Sequence, residues 1–393
     1  MSSLDAAVPG VSRQRALFVI LCGGFALTGM AISILGPMLP VFIARWTLDD
    51  AKAGLFSSVA FGASLGGVWL SSLVTSYFGY RPSIVAGYIG MSGGLIGLTA
   101  PSYAVALVAA AAIGLGYGLA VPGTNLCVAE MGGVRNAGLV SLVNLAWGVG
   151  ALSCSPLLLF ALRLNSLPQM LIGVAACGVL LTLALLLAAI PTERHTDSAA
   201  DRDTLPKLST LVTAGLAALF FIYVGTEVSF SFWAATYVKR LNAGAQELST
   251  VAPMFFFGGL MSGRALTPIV LNRVRENRLA LGALCVVIVG GTLLLASKTQ
   301  KMAFVSLALA GIGCSCLFPI NVAWLSQWYG RGARKVSALM FSVASIGASV
   351  VPGFVGFLSD HAGGLRVGLL VPLVSAFLMV LLLVLLRKQT ATG

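Results

Sequence analysis

The stretch GLGYGLAVP (114–122) returns 197 residues later (311 − 114) as GIGCSCLFP (311–319), with two glycines and the proline in register. A shift of 196 places Gly62 on Gly258, Ala63 on Gly259 and Gly67 on Gly263 (258 − 62). The same shift puts Ser141 on Ser337 and Pro156 on Pro352. Glycine and proline coincidences are common in apolar segments, so one match carries little. One offset recurring across three pairs of segments points to a chain built by duplication.

Composition says where such a chain resides. Of its 393 residues 58% are hydrophobic and only 9% charged, with a mean hydropathy of +0.98. Soluble domains are nearer a quarter charged, so the sequence reads as a polytopic membrane protein. Twelve apolar segments lie between residues 16 and 386. Most have the ~20 residues that a hydrocarbon core about 30 Å thick requires. The alternating pattern of a barrel is absent, which leaves helices to satisfy the backbone in lipid. The polar run PTERHTDSAADRDTLPK (191–207) divides the segments six and six. The expected fold is therefore all-α, with twelve transmembrane helices in two pseudo-symmetric six-helix bundles. Residues 1–190 and 208–393 form the bundles, and 191–207 is a cytoplasmic linker. Arg13 and Arg15 precede the first segment as in a signal peptide, but the apolar run outlasts a short h-region and reads as the first span.

The net charge of +12 could suggest nucleic acid. The basic residues sit singly or in small groups between apolar segments, however, as topology signals do. With the N-terminus inside, fifteen lysines and arginines fall on the cytoplasmic side and eight outside. That asymmetry predicts both termini in the cytoplasm and, for a bacterial-type cell, an inner-membrane location. Seven cysteines, all in apolar segments without metal-like spacing, read as buried thiols. No G-x-x-x-x-G-K-[ST] phosphate loop is present, which argues against ATP-driven transport. His195 in the linker and His361 at a helix end form no catalytic or metal constellation. No cofactor is expected, and the reading is transport rather than catalysis.

Parallel six-span repeats about an axis along the membrane normal are the architecture of major facilitator transporters, and the chain resembles that superfamily over almost its whole length. It is similar in particular to the fucose permease branch of sugar–proton symporters. The resembling pieces are GPMLPVF (36–42), LVNLAWGVGALSCSP (142–156), YVGTEVSFSFW (223–233), FGGLMSGRAL (257–266) and PGFVGFLSDHAGGLRVGLLVP (352–372). The superfamily's loop motif between spans two and three, roughly G-x-x-x-D-R-x-G-R-R, is degraded here to SYFGYR (76–81). Fucose permeases carry acids in the first and fourth spans, tied to sugar and proton. The aligned positions here are Gly36 and Val121, and Asn144 stands where relatives often have histidine. The resemblance implies the major facilitator fold and a substrate at the midplane between bundles. It does not carry proton coupling over.

Polar groups inside the spans must supply that chemistry. Of twelve acids, only Glu227 sits well inside an apolar segment. A charge there costs roughly 3 kcal/mol on insertion scales, and such residues face a bundle interior or a wet cavity. Tyr223, Glu227 and Ser231 are four apart and share one helix face. Glu227 is the candidate proton carrier, a substrate ligand, or both; fastening span seven to a neighbour is the structural alternative. Asn125, Asn144, Trp147, Asn321 and Trp324 complete the candidate substrate set with Tyr223. Amides donate and accept together, and indoles offer an apolar face with one donor, which suits a neutral polyhydroxylated ring. Interhelical hydrogen bonding and interfacial packing are the bland readings of the same residues. Arg264 lies about nine residues, or roughly 14 Å, from Arg273 and reads as a gating or structural cation near the cytoplasmic ends. A direct Glu227–Arg264 pair is not expected from the helix register. Glu130, near Arg81 and Arg135, could close a cytoplasmic ion-pair latch, or be a solvated helix-end charge. The expected function is uptake of a small neutral sugar or sugar-like metabolite by a monomer, with a proton carried by Glu227. Export of amphipathic compounds and uncoupled facilitation are the alternatives.

Overall fold

The computed structural model describes residues 9–132, 136–188, 210–241, 247–329 and 333–390. The linker 191–207, with His195, and the latch candidate Arg135 lie outside the described residues. The described residues are almost wholly helical. In order the helices are α1 (Pro9–Ser33), α2 (Leu35–Trp46), α3 (Asp50–Phe78), α4 (Tyr80–Gly97), α5 (Tyr103–Gly132), α6 (Asn136–Arg163) and α7 (Leu167–Leu187). The second half holds α8 (Thr210–Leu241), α9 (Ala252–Leu271), α10 (Glu276–Ala296), α11 (Gln300–Cys314), α12 (Leu317–Tyr329), α13 (Ala333–Ala362), α14 (Leu365–Gly368) and α15 (Leu370–Thr390).

Each of the twelve apolar segments has its helix or helix pair. The first is broken between α1 and α2, the tenth between α11 and α12, and the last between α14 and α15. Eleven stretches among the described residues are long and apolar enough to cross a membrane. The exception is α4, which has 18 residues and begins Tyr80-Arg81-Pro82; at 1.5 Å per residue it reaches only about 27 Å.

The chain divides into two compact units. One comprises Met1–Ile32, Ala63–Ala151 and Leu167–Thr196; the other comprises Ser33–Gly62, Leu152–Ser166 and Asp197–Gly393. The segments 33–62 and 152–166, which belong to the first half of the sequence, thus fold with the second unit.

Inside each unit the duplication is visible as repeated helix crossings. In the first, a Cβ at Gly116 would meet the Gly87 carbonyl oxygen at 2.5 Å and the Met91 amide at 2.8 Å. In the second, a Cβ at Gly313 would meet the Ala283 oxygen at 2.7 Å and the Val287 amide at 2.6 Å. Every partner is displaced by 196 or 197 residues. The crossing of α1 with α6 repeats between α8 and α13, with partners displaced by 195 and 197 residues: a Cβ on Gly150 would stand 1.9 Å from the Ala26 oxygen, and one on Gly347 would stand 2.1 Å from the Phe221 oxygen. Lipid gives helices no hydrophobic reason to associate, so small residues that let backbones touch do the work. This is why glycine and proline, rather than the large apolar residues, keep register between the halves. The test is Gly347→Ala, which should cost roughly 2–3 kcal/mol by overpacking. Thermal unfolding in detergent should show the loss, while Gly282→Ala, where nothing lies within 4 Å, should leave the midpoint unchanged.

Candidate functional site

The second unit contains the charged site. Helix α8 runs unbroken through YVGTEVSFSFW, so Tyr223 and Glu227 stack one turn apart as their spacing requires. The Tyr223 hydroxyl reaches a Glu227 carboxylate oxygen and also lies 3.0 Å from the Cys314 carbonyl oxygen. A phenol has one proton to donate, and an ionised carboxylate is the stronger acceptor. The Cys314 carbonyl is available because α11 ends there, leaving its last carbonyls without helical partners. Pro319, the third residue of the next helix, has no N–H for the neighbouring Ser315 carbonyl. Cys314 contributes to the site through its backbone, which no side-chain pattern signals.

Arg264 is the correction. Its Nη2 stands 3.9 Å from Glu227 Oε1, with side chains 29% and 14% exposed respectively. The expectation of no direct pair rests on depths from the cytoplasmic ends, about 30 Å for Glu227 counted from Lys207 against roughly 14 Å for Arg264. Counting from the connection that joins α8 to α9 changes the result. Glu227 is 14 residues before Leu241 (241 − 227), and Arg264 is 12 after Ala252 (264 − 252). At 1.5 Å per residue these depths are about 21 and 18 Å, so the two are level. At 3.9 Å the contact is an ion pair and too long for a hydrogen bond. The Arg264 Nε is buried with no hydrogen-bond partner. Buried donors are normally satisfied, so this guanidinium has capacity for an acceptor that the described residues do not supply. Ser231, the next residue on the face, spends its hydroxyl on the Glu227 and Val228 carbonyls.

The remaining candidates are distributed. Asn321 is buried in α12 at 4% exposure, and Trp324, a turn later, is 5% exposed. Trp324 stacks on Trp328 with ring centres 5.9 Å apart. Both line a cavity of about 450 Å³ with Arg275, Glu276 and Gln327, where Gln327 donates to Glu276 at 3.2 Å. Neither Tyr223, Glu227 nor Arg264 lines that cavity. In the first unit, Asn144 donates to the Asn125 side-chain oxygen at 3.0 Å. Each amide also donates to the carbonyl four residues back, at Val140 and Val121. These amides therefore join α5 to α6 as the interhelical reading expected, while their remaining acceptor and donor capacity persists. Trp147 lies where its carbonyl packs against Gly29.

At the latch candidate, Glu130 accepts from the Tyr80 hydroxyl, and Arg135 lies outside the described residues. Arg81 donates to the Ala188 carbonyl, just past the end of α7. Gly36, at the position where fucose permeases carry an acid, packs closely against α8. A Cβ there would lie 3.0 Å from Phe232 Cα, so a side chain at this position requires α8 to give by a few tenths of an ångström.

Comparison with known proteins follows from this architecture. The family model of the Major Facilitator Superfamily matches residues 21–305 and 272–393. The chain belongs to the Major Facilitator Superfamily.

Its sequence relatives include "Sodium-dependent glucose transporter 1" of Danio rerio, 24% identical over 91% of this chain and 68% of that one. "Putative glucose/galactose transporter" of Helicobacter pylori is 29% identical over 48% of this chain. The match spans about half that relative's length, 46%. Among solved structures, the xylose transporter XylE from E. coli superposes with a TM-score of 0.74 at 14% identity, covering 93% of this chain and 95% of that one. The E. coli fucose:proton symporter gives 0.64 at 17%, covering 94% and 98%. At such identities these two establish the major facilitator fold alone. Membership of the Major Facilitator Superfamily places the chain among membrane transporters.

Proposed function

We propose that this major facilitator chain moves a small neutral sugar or sugar-like metabolite across the membrane by alternating access, with Glu227 as the ion-coupling carboxylate. The observation that carries the reading is the Tyr223–Glu227–Arg264 cluster, a neutral pair of charges midway along α8 and α9. The pair cancels in net charge, so it favours a neutral solute over an ion. Protonating Glu227 would leave Arg264 a partly buried cation without its counter-charge, which is costly. Sugar hydroxyl and ring oxygens are acceptors that could then receive its donors, including the unpartnered Nε. Proton and sugar would thereby favour one another's binding. Asn125, Asn144, Asn321 and the indoles of Trp147 and Trp324 are the proposed neutral contacts elsewhere along the pathway. The names of the sequence relatives, which refer to glucose and galactose, support the substrate class. The division into bundles 1–190 and 208–393, the cytoplasmic termini, the inner-membrane location and the monomeric state belong to the same proposal.

Uncoupled facilitation is the second reading. It is favoured by Gly36 and Val121, which leave the first and fourth spans without an acid. Proteoliposomes separate the two. Radiolabelled glucose, galactose, xylose and fucose should accumulate when an inward proton gradient is imposed. Because one relative is named as sodium-dependent, a sodium gradient forms the second arm. Sugar flux that equilibrates identically under both gradients would support the facilitator, and flux of cationic dyes alone would overturn the sugar reading.

A further inference from the structure

The cavity of about 450 Å³ in the second unit is set apart from Tyr223, Glu227 and Arg264, none of which lines it. It lies where four helix ends meet: the last residue of α9, the first of α10, the last two turns of α12 and the C-terminal half of α15. The chain turns back between α9 and α10 through residues 272–275. The walls are of two kinds. Leu383 and Leu386 are aliphatic, and Trp328 offers an indole face, held parallel to Trp324 with ring centres 5.9 Å apart. Arg275, Glu276 and Gln327 are polar. Indoles beside charged groups at the end of a span belong to the membrane interface.

The charge in this corner is unbalanced. Arg273, Arg275 and Arg278 are exposed, and among the described residues none of them is in an ion pair. Glu276 is the acid within the same run, RVRENR (273–278), and both its oxygens receive the Gln327 amide, at 3.2 and 3.3 Å. Three cations against one carboxylate leave a surplus of two positive charges (3 − 1). Basic pockets between spans attract anionic lipid headgroups. A soluble anion would use only the polar wall, whereas α15 provides a surface for a hydrocarbon chain. Val374, Leu378, Leu381 and Leu385 are about half exposed and follow at intervals of four, three and four, so they form one apolar ridge. The ridge starts beside Leu386 and runs for 11 residues (385 − 374), about 16 Å. That is about the depth of one leaflet in a hydrocarbon core about 30 Å thick.

We propose that this cavity is a binding site for one anionic glycerophospholipid with a hydroxylated headgroup. Arg275 takes the phosphodiester, and Glu276 and Gln327 take the headgroup hydroxyls. The Trp328 face covers the glycerol backbone, and one acyl chain lies on the α15 ridge. The volume falls within the range of about 300–1,000 Å³ typical of small-molecule sites. Hydroxyls that donate to Glu276 let a carboxylate line a site for an anion. The ammonium of a zwitterionic lipid would suit Glu276 but leave the surplus arginines uncompensated. Binding is measured without sugar or transport, so it can fail while the transport reading stands, and the reverse. The full chain, purified in detergent and stripped of lipid, is titrated with phosphatidylglycerol, phosphatidylethanolamine or phosphatidylcholine, and bound lipid is counted by native mass spectrometry. One phosphatidylglycerol should bind about thirtyfold more tightly than either zwitterionic lipid, the factor that two surplus charges supply. Arg275→Gln should weaken it about fivefold, as one lost charge predicts, and Trp328→Ala should weaken it too. Lys298→Gln, an equal loss of charge beyond the other end of α10, should leave it unchanged. Glycerol 3-phosphate, which has the phosphate without the chains, should not displace the lipid even in large excess. Equal binding of the three lipids, an Arg275→Gln no weaker than Lys298→Gln, or displacement by glycerol 3-phosphate would overturn the proposal.

Discussion

Glu227→Gln is expected to abolish concentrative uptake while leaving exchange of sugar across the membrane intact. The amide keeps the shape of the side chain and can still accept from Tyr223, but it cannot cycle a proton. One charge moved through 100 mV is worth about 2.3 kcal/mol, and each 1.4 kcal/mol is a factor of ten. A one-proton symporter at that potential could therefore hold roughly a fifty-fold gradient. Glu227→Gln should reduce the ratio to about one, with counterflow of labelled sugar still measurable in proteoliposomes. Accumulation that survives the substitution would remove Glu227 from the coupling role and leave it a ligand or a structural acid.

Removal of the other charge should be the larger blow to stability. Arg264→Met leaves Glu227 a largely buried carboxylate with only the Tyr223 hydroxyl against it. Breaking a fully buried pair costs about 3–5 kcal/mol. With Arg264 still 29% exposed and the pair 3.9 Å apart, solvent screening brings the expectation to about 2 kcal/mol. The same loss carried into sugar affinity would be near thirty-fold. Arg264→Lys should recover only part of either, since an ammonium retains charge but not the fork of donors. The diagnostic comparison is Glu227→Gln/Arg264→Met, which has no orphaned charge and should unfold at a higher temperature than Arg264→Met alone. Additive losses in thermal midpoint would mean that the two residues are not coupled.

How far the sequence could be read depends on the length over which each signal acts. The twelve segments were legible because lipid imposes length and apolarity on every span. The duplication was legible because close helix crossings favour glycine at Gly116 and Gly313. Tyr223 and Glu227 were placed on one face by helical period alone. Asn125 and Asn144 were singled out correctly as polar residues within spans, but their mutual hydrogen bond joins residues 19 apart, which no local period reports. Asp50, at the start of α3, binds the Arg240 guanidinium and receives the Asp360 carboxylate on its amide, partners 190 and 310 positions away, and in the sequence all three are unremarkable charges at the ends of spans.

The sequence by itself therefore determined the fold class, the repeat and the one mid-span carboxylate, since each follows from lipid solvation or from helical period. Only the tertiary structure decided the partner of that carboxylate. Glu227 and Arg264 meet because antiparallel α8 and α9 bring equal depths together, and the depth of a residue depends on where its helix begins and how it tilts. The tertiary structure likewise turned Asp50 from a helix-start acid into a bound one, because three helix ends separated along the chain converge on it.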